Sequence, residues 1–346
     1  MSLSVFFLLF LFAGANEDPY AHNLIADNNY ECLLVQDPAH PVDLGSVLSY
    51  AIDRNFASIR ISPGIWSSSS PVTIDGSRGA VSIRGDSSVT LPVIRASIVL
   101  KDVEKVTVQD LILEEPLELD RSQDIVLRGL TFRHSGIRLR GKRCNQPNEC
   151  TSFNRRIQIT DCLFVDSEIG IDAERMEESY IAGNRFTGSG KNSCDRPVVG
   201  IELDGSGEDL DRPLEQGHHK GNRIEGNSFE QEFAVGIRIR ESYANTVRDN
   251  RFNHSFRSIE LLEDARYNQV LSSYIGSLSQ MPVTSACPGA CGIYLGPTAR
   301  DNVLINNFFE QNFELQFIER NRNRTFFIDE SGSRNVIRSD FPRLAQ

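Results

Sequence analysis

One short phrase recurs along this chain and limits what it can fold into. An apolar residue, a gap, usually an Asn, one further residue and another apolar one read "IQITDCLF" (157–164), "SYIAGNRF" (179–186), "NRIEGNSF" (222–229), "NTVRDNRF" (245–252), "NQVLSSYI" (268–275) and "NVLINNFF" (302–309). "NVIRSDF" (335–341) is a shortened copy; "SIRI" (58–61), "VSI" (81–83), "VTVQDLIL" (106–113) and "IVLRGLTF" (125–132) are earlier relatives. Between the copies lies a second phrase: "GIRL" (136–139), "GID" (170–172), "GIEL" (200–203), "GIRI" (236–239), "SIEL" (258–261), "GIYL" (292–295) and "ELQF" (314–317). It alternates apolar and polar with period two, as a half-buried strand does. Asn222, Asn245 and Asn268 are 23 residues apart, and Asn302 and Asn335 follow at 34 and 33. A near-constant step with occasional extra loops indicates stacked coils, each too small to bury its apolar face alone. Helical repeats would show period 3.6 over longer segments, and these do not.

These phrases resemble those of right-handed parallel β-helix proteins of the pectate-lyase-like superfamily, over roughly residues 40–341. The resemblance implies an all-β fold, a single-stranded right-handed parallel β-helix of about eleven coils that makes a rod of roughly 50 Å at ~4.8 Å per coil. In "VDLGSVLSYAID" (42–53), Leu44, Val47, Leu48, Ala51 and Ile52 share one helical face. Similar proteins begin with such a helix, which caps the open end of the rod where strand edges would be unpaired. The expected organisation is a signal peptide (1–15), an N-terminal segment with the capping helix (16–56), the β-helix (57–341) and a short tail (342–346). Asn184, Asn227, Asn250 and Asn307, with Ser273 and Asp340 as variants, occupy equivalent turn positions. Asn tolerates the left-handed backbone of a tight turn, and stacked amides can bond along the rod, so these residues read as scaffold.

Hydrophobic residues make up 40% of the chain, enough for a sizeable core, and the formal net charge of −11 argues against a nucleic-acid binder. Residues 1–15 read as a secretory signal: the apolar run from Val5 to Phe12 is too short to span a bilayer, and Ala13-Gly14-Ala15 fits a cleavage site. No Lys or Arg precedes the run. No later segment reads as a membrane helix, so a secreted or periplasmic monomer is expected. Seven cysteines suit an oxidising compartment. Cys144/Cys150 and Cys287/Cys291 are close enough in sequence to close small loops, whereas Cys32, Cys162 and Cys194 have no evident assignment. Asn253 and Asn323 are glycosylation acceptors only in a source that glycosylates.

In the second phrase Ile and Leu point inward, so the residue between them points out. That outward column reads Arg138, Asp172, Glu202, Arg238, Glu260, Tyr294 and Gln316; two residues on it reads Arg140, Glu174, Asp204, Arg240 and Leu262. Charges alternating along a ladder can pair with one another on a solvated face. The coils lengthen at 140–154, 187–199, 204–221, 276–291 and 318–333, at the margins of this strand, and such loops commonly wall a site. Related β-helix enzymes act on polysaccharides from an exposed sheet walled by loops. An acidic polysaccharide is the expected partner, and polyuronate lyase or C5-epimerase chemistry the leading reading. There an Arg neutralises the uronate carboxylate while a base removes the proton on C5. Arg238 or Arg240 would neutralise, and Tyr294, His218 or His219 would act as base or acid, with Asp172 and Glu202 beside them. Arg138, Arg240, Asp204, Glu260, His219 and Lys220 would contact substrate. One alternative is a glycoside hydrolase using paired carboxylates among Asp172, Glu202, Asp204 and Glu260. Another is a non-catalytic β-helix surface module that binds glycan or protein. The subfamily motifs of polygalacturonase, pectate lyase and mannuronan epimerase are not matched. No cofactor is expected except possible calcium: "DGSGEDLDRPLE" offers oxygens at Asp204, Ser206, Glu208 and Glu215, but Asp209 stands where an EF-hand loop needs Gly.

Overall fold

The structure, a computed structural model, describes residues 20–26, 30–76, 80–86, 90–141, 153–188, 198–205, 221–230, 233–253, 255–276, 291–310, 328–330 and 334–338. Each repeat supplies three short strands. One coil, for example, runs through Arg223–Glu225, Ser228–Glu230 and Phe233–Arg240. Equivalent strands of successive coils pair in parallel, so the chain winds into three long sheets. Sheet 1 has thirteen strands among the described residues, from Leu24–Ala26 to Val336–Arg338. Sheets 2 and 3 have ten each, from Ile65–Ser67 to Phe308–Phe309 and from Val72–Asp75 to Ile328–Glu330.

Parallel stacking puts each side chain on its equivalent in the next coil. Ile159, Ile181, Ile224, Val247, Val270 and Leu304 form one such inward column. The Phe that closes the first phrase forms another. The rings of Phe132, Phe164, Phe186, Phe229 and Phe252 stack with centroids 4.6 to 4.9 Å apart and within 8° of parallel. This stack explains the Gly that opens the second phrase. A Cβ on Gly200 would lie 2.4 Å from the Phe229 ring, and one on Gly236 would lie 2.5 Å from Phe252. Only glycine leaves the aromatic column that room.

The helix Leu44–Asp53 buries the five residues read from the sequence. Asp43 caps it by accepting the Ser46 N–H at 3.0 Å. Its apolar face joins Cys32, Leu34, Trp66 and Val72 in the main core, covering the open end of the first coil. Sheet 1 begins before the helix, because Glu31–Leu34 pairs in parallel with Ser58–Ile61.

The turn asparagines do stack. Asn184 Nδ2 donates to Asn227 Oδ1 at 3.0 Å, and Asn227 Nδ2 to Asn250 Oδ1 at 3.0 Å. Their expected left-handed backbone is corrected. The positive φ falls one residue earlier, on Gly183 (65°), Gly226 (65°), Asp249 (54°), Ser272 (49°) and Asn306 (55°). The preceding residue turns the chain, and the buried amide ties one turn to the next. A second ladder of Asn222, Asn245, Asn268, Asn302 and Asn335 runs along the other corner of sheet 1, with amide contacts of 2.9 to 3.1 Å. Asp340 lies outside the described residues.

Cys32 and Cys162 are buried in the core, where loss of solvent pushes the Cys162 thiol up to about 12. Cys144, Cys150, Cys194 and Cys287 lie outside the described residues, and of Cys291 only the backbone is described. No helix among the described residues is long and apolar enough to cross a membrane.

Candidate functional site

The outward column on sheet 3 is in register throughout: Glu118, Arg138, Asp172, Glu202, Arg238, Glu260 and Tyr294 are neighbours on consecutive strands. Beyond Tyr294 the expectation needs correction. The next strand is Ile328–Glu330, so Asp329 rather than Gln316 follows Tyr294. "ELQF" and "FID" alternate equally well, and a period of two over so few residues cannot choose between them. Gln316 lies outside the described residues. In the second column Glu174, Asp204, Arg240 and Leu262 are in register.

Sheet 3 widens at these coils. Its strands have four residues at Ile98–Lys101 and Leu117–Asp120, six at Ile169–Glu174 and Val199–Asp204, and eight at Phe233–Arg240 and Ser255–Leu262. The extension adds a third column, Val199, Val235 and Arg257. Val199, Ala234 and Val235, with Ile169 against them, form a small apolar group separate from the main core.

Here the column is not a solvated face. Glu202 and Glu260 expose only 6% and 5% of their side chains, Arg238 15% and Arg257 9%. Arg238 donates from Nε to Glu260 at 2.7 Å and reaches Glu202 with Nη1 at 3.6 Å. Arg240 also bonds Glu202, while Arg257 Nη1 donates to the second oxygen of Glu260 at 2.7 Å. The Arg257 guanidinium lies over the Tyr294 ring, 4.1 Å from its centroid. Burial pulls the pKa of Arg240 down, but the Glu202 carboxylate outweighs it and the net shift is upward. The buried Arg240 Nε and Ser255 Oγ have no hydrogen-bond partner among the described residues. Outside this knot, Arg140 spans Asp172 at 3.1 Å and Glu174 at 3.3 Å, and Arg138 faces Glu118 at 3.6 Å.

The structure thus brings Asp172, Glu202, Arg238, Arg240, Glu260 and Tyr294 together. Arg138 belongs to a separate pair nearer the N-terminus, and Asp204 sits beside Arg240 in the second column. His218, His219 and Lys220 lie outside the described residues, as does the acidic loop from Ser206 onward. Arg257 was not foreseen. Its signal is the alternation in "SFRSIEL", which continues upstream of the phrase where Ser258 replaces the usual Gly. Taking each charge out of water costs several kcal/mol that pairing roughly returns, so such a knot is weak as a stabilising device. Desolvated charges gathered on an outward face are instead a frequent mark of a working site.

Coils and knot together define a right-handed parallel β-helix protein with a buried ionic cluster on one outward sheet. The chain belongs to the family described as periplasmic copper-binding protein (NosD), which matches residues 73–274 and 192–338. No curated protein matches it in sequence. Among solved structures it is similar to DFA-IIIase from Arthrobacter chlorophenolicus A6 in complex with GF2, with a TM-score of 0.58 and 13% identity over 90% of this chain and 94% of that one. The tailspike protein of Acinetobacter baumannii phage AM24 aligns with a TM-score of 0.41 and 12% identity, over 86% of this chain and 52% of that one. The alginate lyase from Paenibacillus sp. str. FPU-7 aligns at 0.40 and 11%, over 84% and 97%.

The family description implies copper. Among the described residues within the matched span, no three His, Cys, Asp or Glu side chains converge on one point, and the Cys162 thiol is committed to the core. The one converging group among the described residues is His22, Asp37 and His40, whose ligand atoms lie within 4.8 Å of one another, ahead of the matched span. Two imidazoles and a carboxylate fit a divalent first-row ion such as copper.

Proposed function

We propose that this protein is a carbohydrate-active β-helix that cleaves a glycosidic bond in an oligosaccharide bound along sheet 3, using Asp172 and Glu202 as its carboxylate pair. The observation that carries the reading is their register: they are direct neighbours on adjacent strands of the widened sheet, with no basic residue between them. Strand spacing of ~4.8 Å is close to the roughly 5–5.5 Å that separates the two carboxyl groups of a retaining glycosidase. Glu202, gripped by Arg238 and Arg240, is suited to attack the anomeric carbon. Asp172, at 22% side-chain exposure the more accessible of the two, would exchange a proton with the leaving oxygen and then with water once bound substrate displaces Arg140, which lies 3.1 Å from it.

The same pairing weighs against a uronate substrate. Arg238 and Arg240 are already engaged by Glu202 and Glu260, which leaves neither to neutralise a sugar carboxylate, and the chain carries a net charge of −11. A neutral oligosaccharide is therefore the favoured partner, in keeping with the GF2-bound neighbour of the same fold. Lyase or epimerase chemistry keeps one specific support, the Arg257–Tyr294 stack, which pairs a cation with a phenol able to move a proton. A periplasmic or secreted location suits the reading, given the family's description and the signal-like residues 1–15.

The test is a panel of neutral oligosaccharides and polyuronates, followed for new reducing ends and for the ultraviolet absorbance of unsaturated products. Reducing ends from neutral sugars, lost in both Asp172→Asn and Glu202→Gln, support the proposal. Unsaturated products lost in Tyr294→Phe transfer it to the lyase reading. Binding without either product makes the protein a glycan-binding module.

A further inference from the structure

We propose that His22, Asp37 and His40 form a binding site for a divalent transition-metal ion at the N-terminal end of the rod. The three come from two segments that a buried amide clasps together. Asn23, directly after His22 and only 1% exposed, donates from Nδ2 to the carbonyls of Val35 at 3.3 Å and His40 at 3.1 Å. Its own carbonyl accepts the Val35 N–H at 2.9 Å. The second segment is a tight turn: the His40 N–H donates to the Asp37 carbonyl at 3.0 Å, and Asp37 Oδ1 accepts the Ala39 N–H at 2.9 Å. Backbone contacts therefore fix where all three side chains start.

What they present is a donor set. The His22 and His40 rings lie parallel within 8°, with centroids 4.1 Å apart, and His40 Nδ1 is 2.8 Å from Asp37 Oδ2. Both histidines are exposed, so burial of apolar surface does not account for their stacking. Neutral imidazoles each offer a lone pair. In the stacked arrangement the in-plane lone pairs run parallel. Turning one exposed ring about its χ2 aims its nitrogen toward the other, and ligand atoms already within 4.8 Å of one another can then share an ion at ~2.0–2.1 Å. Asp37 serves as third ligand or, through its contact with His40, as the carboxylate that orients that ring. Nitrogen donors with one carboxylate select copper or zinc over calcium or magnesium, which take all-oxygen shells. The site precedes the residues that match the family and stands apart from the glycan reading of sheet 3.

The full-length chain, freed of metal, would be titrated with Cu²⁺, Zn²⁺ and Ca²⁺ by calorimetry. One Cu²⁺ or Zn²⁺ per chain and no Ca²⁺ is expected. His22→Ala and His40→Ala should each weaken binding at least tenfold, or about 1.4 kcal/mol, and Asp37→Asn less. His134→Ala should leave it unchanged. Copper bound to the wild-type chain should show coupling to two imidazole nitrogens by electron paramagnetic resonance, a readout that does not depend on a variant folding. Wild-type affinity in both single variants, loss of binding only on replacing His218 and His219, or no uptake at all would overturn the site.

Discussion

Two stacks of buried polar residues run along this rod at the same coil spacing, and they are built on opposite terms. At the corners of sheet 1 the stack is neutral and closed. Asn227, for example, accepts from the Asn184 N–H and Nδ2 and donates to the Ile181 carbonyl and Asn250, all at 3.0 Å. Where Ser273 interrupts the stack, the Asn250 N–H bonds its hydroxyl at 3.4 Å and Asn250 Nδ2 bonds the Ile224 and Arg248 carbonyls, so the amide is still satisfied. On sheet 3 the stack is ionic and irregular: two carboxylates are shared among three arginines, and Arg240 Nε is left over among the described residues. Buried polar groups hold a fold only when fully satisfied. The amide stack meets that condition and is scaffold. The ionic stack does not, and the proposed role of sheet 3 as a ligand-binding face would account for it.

The sharpest way to break this distinction is Glu260→Ala. It leaves Arg257 without the carboxylate it donates to and removes one of the two that hold Arg238. Taking one partner from a buried ion pair costs about 3–5 kcal/mol, which chemical denaturation would register as a fall in midpoint with unchanged slope. Replacing Arg257 and Glu260 together by Leu should recover most of that loss, because apolar residues of similar volume need no partner. Activity or glycan binding should stay abolished in the double variant. A double variant as unstable as the single one would make the knot a structural element after all.

Asn227→Ala comes next, at about 2–4 kcal/mol, since it strands the Asn184 N–H and the Ile181 carbonyl in the interior. Here a paired replacement should not help. Asn184→Leu combined with Asn227→Leu still leaves main-chain groups unsatisfied, because the amides bond backbone as well as one another. Recovery of stability in that pair, measured in the same denaturation series, would remove the contrast between the two stacks.

Much of this was legible in the chain itself. The 23-residue step between Asn222, Asn245 and Asn268 implied coils, and "GIxL" placed Asp172, Glu202, Arg238, Glu260 and Tyr294 in one column that the register bears out. What a period of two cannot convey is depth. Glu202 and Arg138 occupy the same column, yet one is 6% exposed and the other 49%. Burial depends on strand extension and on neighbours distant in sequence, so charge pairing along the ladder was expected on a solvated face, and the burial of Arg238 with Glu202 and Glu260 was invisible. The left-handed residue was misplaced by one because Asn suits both jobs, and the amide ladder competed with the turn for it. Asp329 was missed because "ELQF" and "FID" in that coil alternate equally well, and a period of two cannot choose between them. His22 and His40 gave no signal, since the fold alone brings them together.

Smaller effects should come from charged groups stacked at coil spacing outside the knot on sheet 3. Tyr180 and Glu225 lie on neighbouring strands of sheet 1, Glu225 two residues beyond Arg223, the register partner of Tyr180, and the two hydrogen-bond at 2.5 Å. That bond, before any other cause, holds the Glu225 carboxyl below the usual carboxylate range and raises the Tyr180 phenol. A depressed carboxyl contributes stability above its unfolded value, about 4.3, and loses it as pH falls through the lowered folded value. A raised phenol contributes below about 10 and loses it as pH climbs further. Tyr180→Phe should cost about 1 kcal/mol at neutral pH, and its denaturation midpoint should converge on wild type at both extremes. Arg185→Ala should do least. Arg185 pairs with Glu230 at 2.6 Å, but its side chain is 60% exposed, and exposed pairs contribute less than about 1 kcal/mol, screened further by salt. If Arg185→Ala cost as much as Glu260→Ala, stacking itself would matter more than burial, and the reading of sheet 3 as a working face would lose its basis.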